Sequence, residues 1–271
     1  MKIAFSTLGC PRWTWEEMVA VATDLGFDGI ELRGVGQELY VPKAKCFQEP
    51  YLDKNLSRLK ELGLEIPCLT SSCYLFDRPN RDQYLKEGKE YIDLASKLGA
   101  KYVRVLGDRG PQPREEIDPG LVAENLLTLA EHATDKNVMV LIETNGYFAD
   151  SKKILSLIEK VNHAHVGLLW DLHHPFRFMN EPAPVTYERL KEHIRYIHLK
   201  DSLMEEGEVR YKMLGYGDVP VEETLGLLKE DGYRGYISLE WVKRWYRDLE
   251  EPGVVFSHFL HYVRDRISRC S

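Results

Sequence analysis

At 271 residues, with 44% apolar and 29% charged side chains, the chain has material for one sizeable core and is neither disordered nor fibrous in composition. Its net charge of −7 argues against a partner built on phosphates, because non-specific nucleic-acid affinity comes from neutralising a phosphate backbone with Lys and Arg, so no nucleic-acid partner is expected. The N-terminal run Met1 to Leu8 is too short for a signal peptide and no later stretch approaches the ~20 apolar residues of a membrane span, which predicts a cytoplasmic protein with no membrane partner.

Taken in chain order, short β-rich runs alternate with amphipathic stretches. A strand at Lys2 to Ser6 precedes a helix at Trp15 to Leu25. Strand Gly29 to Arg33 precedes helix Leu52 to Leu62, strand Leu64 to Thr70 precedes helix Tyr84 to Leu98, and strand Tyr102 to Leu106 precedes helix Leu121 to Asp135. Strand Val138 to Glu143 is followed by helix Ile154 to Val161. Strands Val166 to Asp171, Tyr196 to Lys200 and Tyr236 to Glu240 complete the series, before a final helix at Val254 to Ile267. Leu25-Gly26, Leu62-Gly63, Leu98-Gly99 and Asp231-Gly232 supply the helix-stop glycine that lets a chain turn left-handed. Repeated strand, helix and glycine point to an α/β fold, a single (β/α)8 TIM barrel occupying residues 1–271, of the roughly 250-residue size usual for that fold. A doubly wound open sheet would carry a glycine-rich phosphate turn after its first strand. Here that turn reads Ser6-Thr7-Leu8-Gly9-Cys10-Pro11, which is no such fingerprint. The longest irregular stretches, Gly34 to Pro50, Gly107 to Pro113 and Asp201 to Pro220, belong at the catalytic mouth.

In a barrel, side chains at the C-terminal strand ends converge. Strand five ends on Glu143, strand six on Asp171, strand seven on His198 and Lys200, and strand eight on Glu240, each closing an apolar run with an ionisable group. One such carboxylate is commonly a helix cap or an ion-pair partner. Three buried together without a cation would repel one another and lose hydration at several kcal/mol per charge, so the set predicts one divalent ion on Glu143, Asp171, His198 and Glu240. Three carboxylates and an imidazole favour Mn2+, with Mg2+, Co2+ or Zn2+ also compatible. The five cysteines, Cys10, Cys46, Cys68, Cys73 and Cys270, are odd in number and form no C-x-x-C pair, which predicts inert thiols.

These residues sit in recognisable surroundings: Ile-Glu-Thr-Asn at Glu143, Trp-Asp-Leu-His-His at Asp171 and His174, Ile-His-Leu-Lys-Asp at His198 and Lys200, and Gly215-Tyr216-Gly217-Asp218 followed by Ser238-Leu239-Glu240-Trp241. With them the whole chain resembles the xylose-isomerase-like TIM-barrel superfamily, in its branch of sugar epimerases, keto-inositol isomerases and related dehydratases. The resemblance implies that Glu143, Asp171, His198 and Glu240 hold the metal and that His174 sits beside the substrate. Strand three ends Thr70-Ser71-Ser72-Cys73, without the histidine of the superfamily's trinuclear-zinc endonucleases, which sets that activity aside.

The activity so implied is a metal-dependent isomerase or epimerase of a keto sugar or keto-inositol. Glu143 and Glu240 serve as catalytic proton carriers on opposite faces of an enediolate, with His174 as a further catalytic group. The same constellation fits a lyase or dehydratase acting on a keto sugar or a dehydroshikimate-like acid, and a non-catalytic barrel subunit is a third reading. Lys200, His173, Glu31, Arg33 and Trp241 are the candidate substrate contacts. Glu31 and Arg33 fit an ion pair with each other equally well, and Trp13, Trp170, Trp241 and Trp245 are candidates for stacking on a sugar face. Arg210 and Lys212 lie in the long loop after strand seven. The Gly215-x-Gly217 turn precedes a helix where barrels often bind phosphate, but Asp218, Glu222 and Glu223 crowd that terminus, which predicts an unphosphorylated substrate. The resemblance also implies a homo-dimer or homo-tetramer, and the last helix, with Phe256, Phe259, Leu260 and Val263, suits packing on the barrel or on a neighbour.

Overall fold

The computed structural model describes residues 1–113 and 116–269. Among the described residues there are ten strands: β1 Lys2–Ser6, β2 Gly29–Glu31, β3 Cys68–Tyr74, β4 Tyr102–Leu106, β5 Met139–Glu143, β6 Val166–Asp171, β7 Ile194–Leu199, β8 Asp201–Glu205, β9 Glu208–Lys212 and β10 Tyr236–Leu239. The α-helices are α1 Trp15–Leu25, α2 Leu52–Leu62, α3 Arg81–Leu98, α4 Pro119–Ala133, α5 Ser151–Val161, α6 His173–Met179, α7 Ala183–Leu190, α8 Val221–Glu230 and α9 Pro252–Arg269. Eight of the strands form one parallel sheet in the order β2-β1-β10-β7-β6-β5-β4-β3. The two ends of that sheet meet through Ile30 N–H on Glu65 O at 2.9 Å, Leu32 N–H on Cys68 O at 3.0 Å and Thr70 N–H on Leu32 O at 2.8 Å, giving the expected (β/α)8 barrel.

The local signals act as their chemistry requires. Thr14 caps α1 with a reciprocal capping box to Glu17, and Gly26, Gly63 and Gly99 end α1, α2 and α3 at φ of +82°, +67° and +71°. Two expectations shift. The third strand lies at Cys68–Tyr74 instead of Leu64 to Thr70. Pro67 has no N–H to give a ladder, and Leu64 to Pro67 joins β2 only around Glu65. The stretch after β7 contains an antiparallel hairpin, β8 with β9, turned at Glu206 and Gly207, both with positive φ. A glutamate is an unusual first residue for such a turn, and no Asn-Gly or Asp-Gly pair stands there to signal a hairpin.

Apolar packing falls in two layers. Ala4, Cys68, Leu141, Leu169, Tyr196 and Tyr236 fill the barrel interior, with the Tyr196 and Tyr236 rings stacked at 6.0 Å. The larger layer lies between sheet and helices. The last helix packs on its own barrel: Phe256 is fully buried, 4.3 Å ring to ring from Phe5 and edge-on to Trp13 and Phe27. Cys10, Cys68 and Cys73 are buried free thiols and Cys46 is partly buried; Cys270 lies outside the described residues. Among the described residues no helix is long and apolar enough to cross a membrane. Because Phe256 anchors α9 to β1 and to the segments on either side of α1, Phe256→Ala should cost about 3–5 kcal/mol in urea unfolding. A loss under about 1 kcal/mol would mean that this helix is not part of the barrel core.

Candidate functional site

The period of two along a strand builds the site. Leu141, Leu169, Tyr196 and Tyr236 face the barrel interior, and two residues further on along the same faces come Glu143, Asp171, His198 and Ser238. Glu240 follows one more step beyond Ser238, just past the end of β10. An apolar floor therefore passes directly into a polar tier, to which β2 adds Glu31 and β4 adds Arg104. All of these tier side chains are buried.

His198 is at the centre. Its Nε2 stands 2.9 Å from Glu31 Oε2; burial would raise the Glu31 carboxyl, but the His198 charge and hydrogen bond outweigh it, so the group stays below its ordinary pKa and, ionised, accepts a hydrogen bond from the ring N–H. The other nitrogen, Nδ1, is buried and has no hydrogen-bond partner; it faces Glu240 Oε1 at 3.6 Å, Asp171 Oδ2 at 3.9 Å and Glu143 Oε1 at 4.0 Å. One ligand atom from each of the four residues lies within 4.8 Å of the others. Ligands about 2.1 Å from one ion stand about 3.4 Å apart in a tetrahedron and about 3.0 or 4.2 Å apart in an octahedron, so the observed spacings suit a single small cation. The four residues could hold one divalent ion, with Glu31 orienting the histidine from behind, as carboxylates do for metal-bound imidazoles.

The neighbouring groups share the carboxylates out. Asp171 Oδ1 accepts the His173 and His174 backbone N–H groups at 2.9 and 3.3 Å, capping α6, while Oδ2 turns to the cluster and to Lys200 Nζ at 2.5 Å. Lys200 also donates to Glu240. Arg104 pairs with Glu143 at 3.0 Å and donates to Ser71 O. Four carboxylates, Glu31, Glu143, Asp171 and Glu240, thus face two full cations, Arg104 and Lys200, and two negative charges are left over when His198 is neutral. That surplus equals the charge of one divalent cation. Without such a cation, burial lowers the His198 pKa less than Glu31 and Glu240 raise it, and it is pushed up to about 9. Burial raises Glu143, with Glu240 and Asp171 adding to it against Arg104. For Glu240 burial is overcome by Lys200 and then His198, which hold it below its ordinary range.

A cavity of about 340 Å3 opens above this tier, walled by Arg33, Tyr74, Arg109, Asn145, Tyr211 and Trp245 as well as by Glu143, His174, Lys200 and Glu240. Of the residues expected at the substrate, Lys200 and Arg33 line it; Glu31, His173 and Trp241 do not. Glu31 is turned down onto His198, and Arg33 donates to Ser72 Oγ, so the two make no pair with each other. His173 Nε2 meets Ser202 Oγ at 2.8 Å, behind the wall. Trp241 is buried with its indole N–H on Glu250 O, whereas Trp245, four residues later, reaches the mouth. His174 is on the wall. Its Nδ1–H donates to Thr144 O at 2.9 Å, and burial and the Lys200 charge keep the ring neutral. Trp170 stacks on Tyr187 and Trp13 meets Phe256, both as packing. Arg210 and Lys212 pair with Glu208 and Glu205 within the hairpin. Sequence reasoning missed Arg104, although a lone arginine inside Tyr-Val-Arg-Val-Leu at an inward-facing position was a usable signal. It also missed Tyr211, whose place depends on the unforeseen hairpin.

The Gly215-x-Gly217 turn already holds an anion of its own. Asp201 accepts the N–H groups of Gly215, Gly217 and Val219 at 2.9, 2.9 and 3.1 Å, the donors that would otherwise cradle a phosphate. A Cβ at Gly217 would stand 2.0 Å from Asp201 Oδ1.

Residues 19–255 match the xylose isomerase-like TIM barrel family, and the chain belongs to it. Fructoselysine 3-epimerase of Shigella flexneri is 23% identical over 280 residues, covering 99% of this chain and 96% of that relative. The probable 3-DHS dehydratase AsbF, involved in petrobactin synthesis in Bacillus anthracis, superposes with a TM-score of 0.80 at 18% identity, over 97% of this chain and 99% of its own. The IOLI protein with a binding zinc atom has a TM-score of 0.79 at 18% identity, over 100% and 99%. At these identities the two structures establish a shared fold.

Since Gly217 leaves room for the Asp201 carboxylate, Gly217→Ala should displace it and cost about 1–3 kcal/mol of stability, read by thermal or urea unfolding. An unchanged midpoint would show that Asp201 does not depend on that turn.

Proposed function

We propose that the protein is a divalent-metal-dependent epimerase or isomerase of a small, unphosphorylated keto sugar or keto-inositol. The observation that carries this reading is His198: its Nε2–H is committed to Glu31, which leaves the Nδ1 lone pair facing three carboxylates, an arrangement a shared cation stabilises. Full-length similarity to a fructoselysine 3-epimerase supports the reaction class. Glu143, Asp171, His198 and Glu240 are the ligands, and three hard oxygens with one nitrogen favour Mn2+. Bound there, the ion would withdraw electron density from a substrate carbonyl and acidify the hydrogen on the adjacent carbon.

The residues of the chain do the rest. Glu143 and Glu240 rise from β5 and β10, with β6 and β7 between them, so they approach a substrate from opposite sides. One removes the proton and the other returns it to the opposite face, which inverts the carbon; return to the neighbouring carbon gives an isomer. His174, held neutral with Nδ1–H on Thr144, keeps its Nε2 lone pair for a substrate hydroxyl. Lys200 donates to a substrate oxygen from the cavity wall. Glu31 and His173 are positioning residues, the first for His198 and the second for the start of α6 through Ser202. Trp245 offers the apolar surface against the sugar in place of Trp241. With Asp201 occupying the turn before α8, a phosphate finds no free cradle there.

The protein loaded with Mn2+ and incubated with keto sugars in deuterated water should place deuterium on carbon without loss of water. Loss of water would overturn the reading in favour of a dehydratase. Glu240→Gln and Glu143→Gln should each lower exchange about 10²–10⁴-fold with the fold intact, and a fully active double variant would sink the proton-carrier assignment. Chelation should abolish exchange and Mn2+ restore it. Glu31→Gln, which touches no substrate, should weaken Mn2+ binding about 10–100-fold in calorimetry; unaltered affinity would remove its orienting role.

A further inference from the structure

Arg33 lies two residues beyond Glu31 along the same inward-facing course, roughly 6–7 Å higher at the usual rise per strand residue. It lines the cavity above the polar tier and is only 7% exposed. The other cations of the site have acidic partners: Arg104 has Glu143, Lys200 has Asp171 and Glu240, and Arg109 at the rim has Asp77. Arg33 has none. Its Nη2 donates to the Ser72 hydroxyl at 2.6 Å, its Nη1 is buried without a partner, and among the described residues no carboxylate comes within ion-pair distance of it. Glu87, whose charge favours the guanidinium, makes no ion pair with it and instead accepts the Ser72 backbone N–H at 2.7 Å. Burial and the charge of Arg104 both work against its charged form, yet a guanidinium does not give up its proton in a protein. Trp245 sits over it, 5.9 Å from the guanidinium carbon to the ring centre.

A buried guanidinium without an ion-pair partner is unfavourable unless something else brings the counter-charge. Inside a substrate cavity that something is the ligand. We propose that Arg33 reads a carboxylate on the substrate, so that the natural ligand is a polyhydroxylated keto acid, a keto sugar bearing a carboxylate, in preference to a neutral ketose. The inference rests on the keto-sugar reading above and narrows its substrate class. A carboxylate fits better than a phosphate because Nη1 is the donor left without a partner, because Glu143 and Glu240 on the cavity wall oppose a dianion, and because the turn before α8 is filled by Asp201. Planar bidentate recognition is also what an arginine offers over a lysine.

Calorimetry on the Mn2+-loaded protein would compare three sets of six-carbon probes: the keto acids 2-ketogluconate, 5-ketogluconate, fructuronate and tagaturonate; the neutral ketoses fructose, tagatose and psicose; and the ketose 6-phosphates. At least one keto acid should bind about 10–100-fold tighter than every neutral ketose, the range set by one charge-assisted hydrogen-bonded pair. Arg33→Gln should erase that advantage, bringing the keto-acid to neutral-ketose affinity ratio down to about one. Arg33→Lys should restore part of it, and in exchange assays the change should fall on KM more than on kcat. Keto acids no tighter than ketoses, phosphates tighter than keto acids, or an Arg33→Gln variant with undiminished preference would each overturn the inference. Neutral ketoses that exchange deuterium while keto acids bind no tighter than they do would leave the epimerase reading standing while removing the carboxylate. Arg33-dependent keto-acid binding without exchange would do the reverse.

Discussion

The contact on which the site depends is the hydrogen bond between Glu31 and His198. It joins β2 to β7 across the two intervening strands, between residues 167 positions apart, and both side chains are fully buried. A buried imidazole has two nitrogens to satisfy, and giving Nε2–H to a carboxylate settles which proton the ring carries and where its lone pair points. Once Nδ1 faces the barrel axis, Glu143, Asp171 and Glu240 have a common focus.

Such a focus is costly to fold. Four carboxylates are held in a space whose floor is tyrosine, leucine and alanine, where charge is poorly solvated, and Arg104 and Lys200 offset half of it. The remaining imbalance is the kind of local conflict that folds retain at functional positions, and a divalent cation held there would resolve it. The stability comes from elsewhere, from the large layer between sheet and helices and from α9 closed over β1 and α1.

The mouth divides the work differently. Asp201 ties the turn before α8 with backbone N–H groups, and the hairpin that starts at the same residue brings Tyr211 against the His173 ring at 5.6 Å and the Tyr246 ring at 5.1 Å. Residues that look alike in the sequence thus part company: His173 supports and His174 faces the cavity; Trp241 packs and Trp245 reaches the rim; Glu31 serves the histidine and Arg33 the space above. In each pair a step of one, two or four residues changes the direction or the height of the side chain.

The barrel was legible in the sequence because its determinants are local: apolar runs of strand length, amphipathic helices and glycines at helix ends each act within a few residues. The convergence of Glu143, Asp171, His198 and Glu240 was legible for a related reason, since strand ends in a closed parallel barrel point to one place whatever the loops do. Arg104 could have been read from its inward position in β4. What only the tertiary structure decided is which acid serves which base. Glu31 chose His198 over Arg33, Asp201 filled its own turn, and Arg33 was left without an anion, because these outcomes depend on distances of a few ångströms between segments far apart in the chain, set by strand register and barrel closure, to which no local pattern gives access.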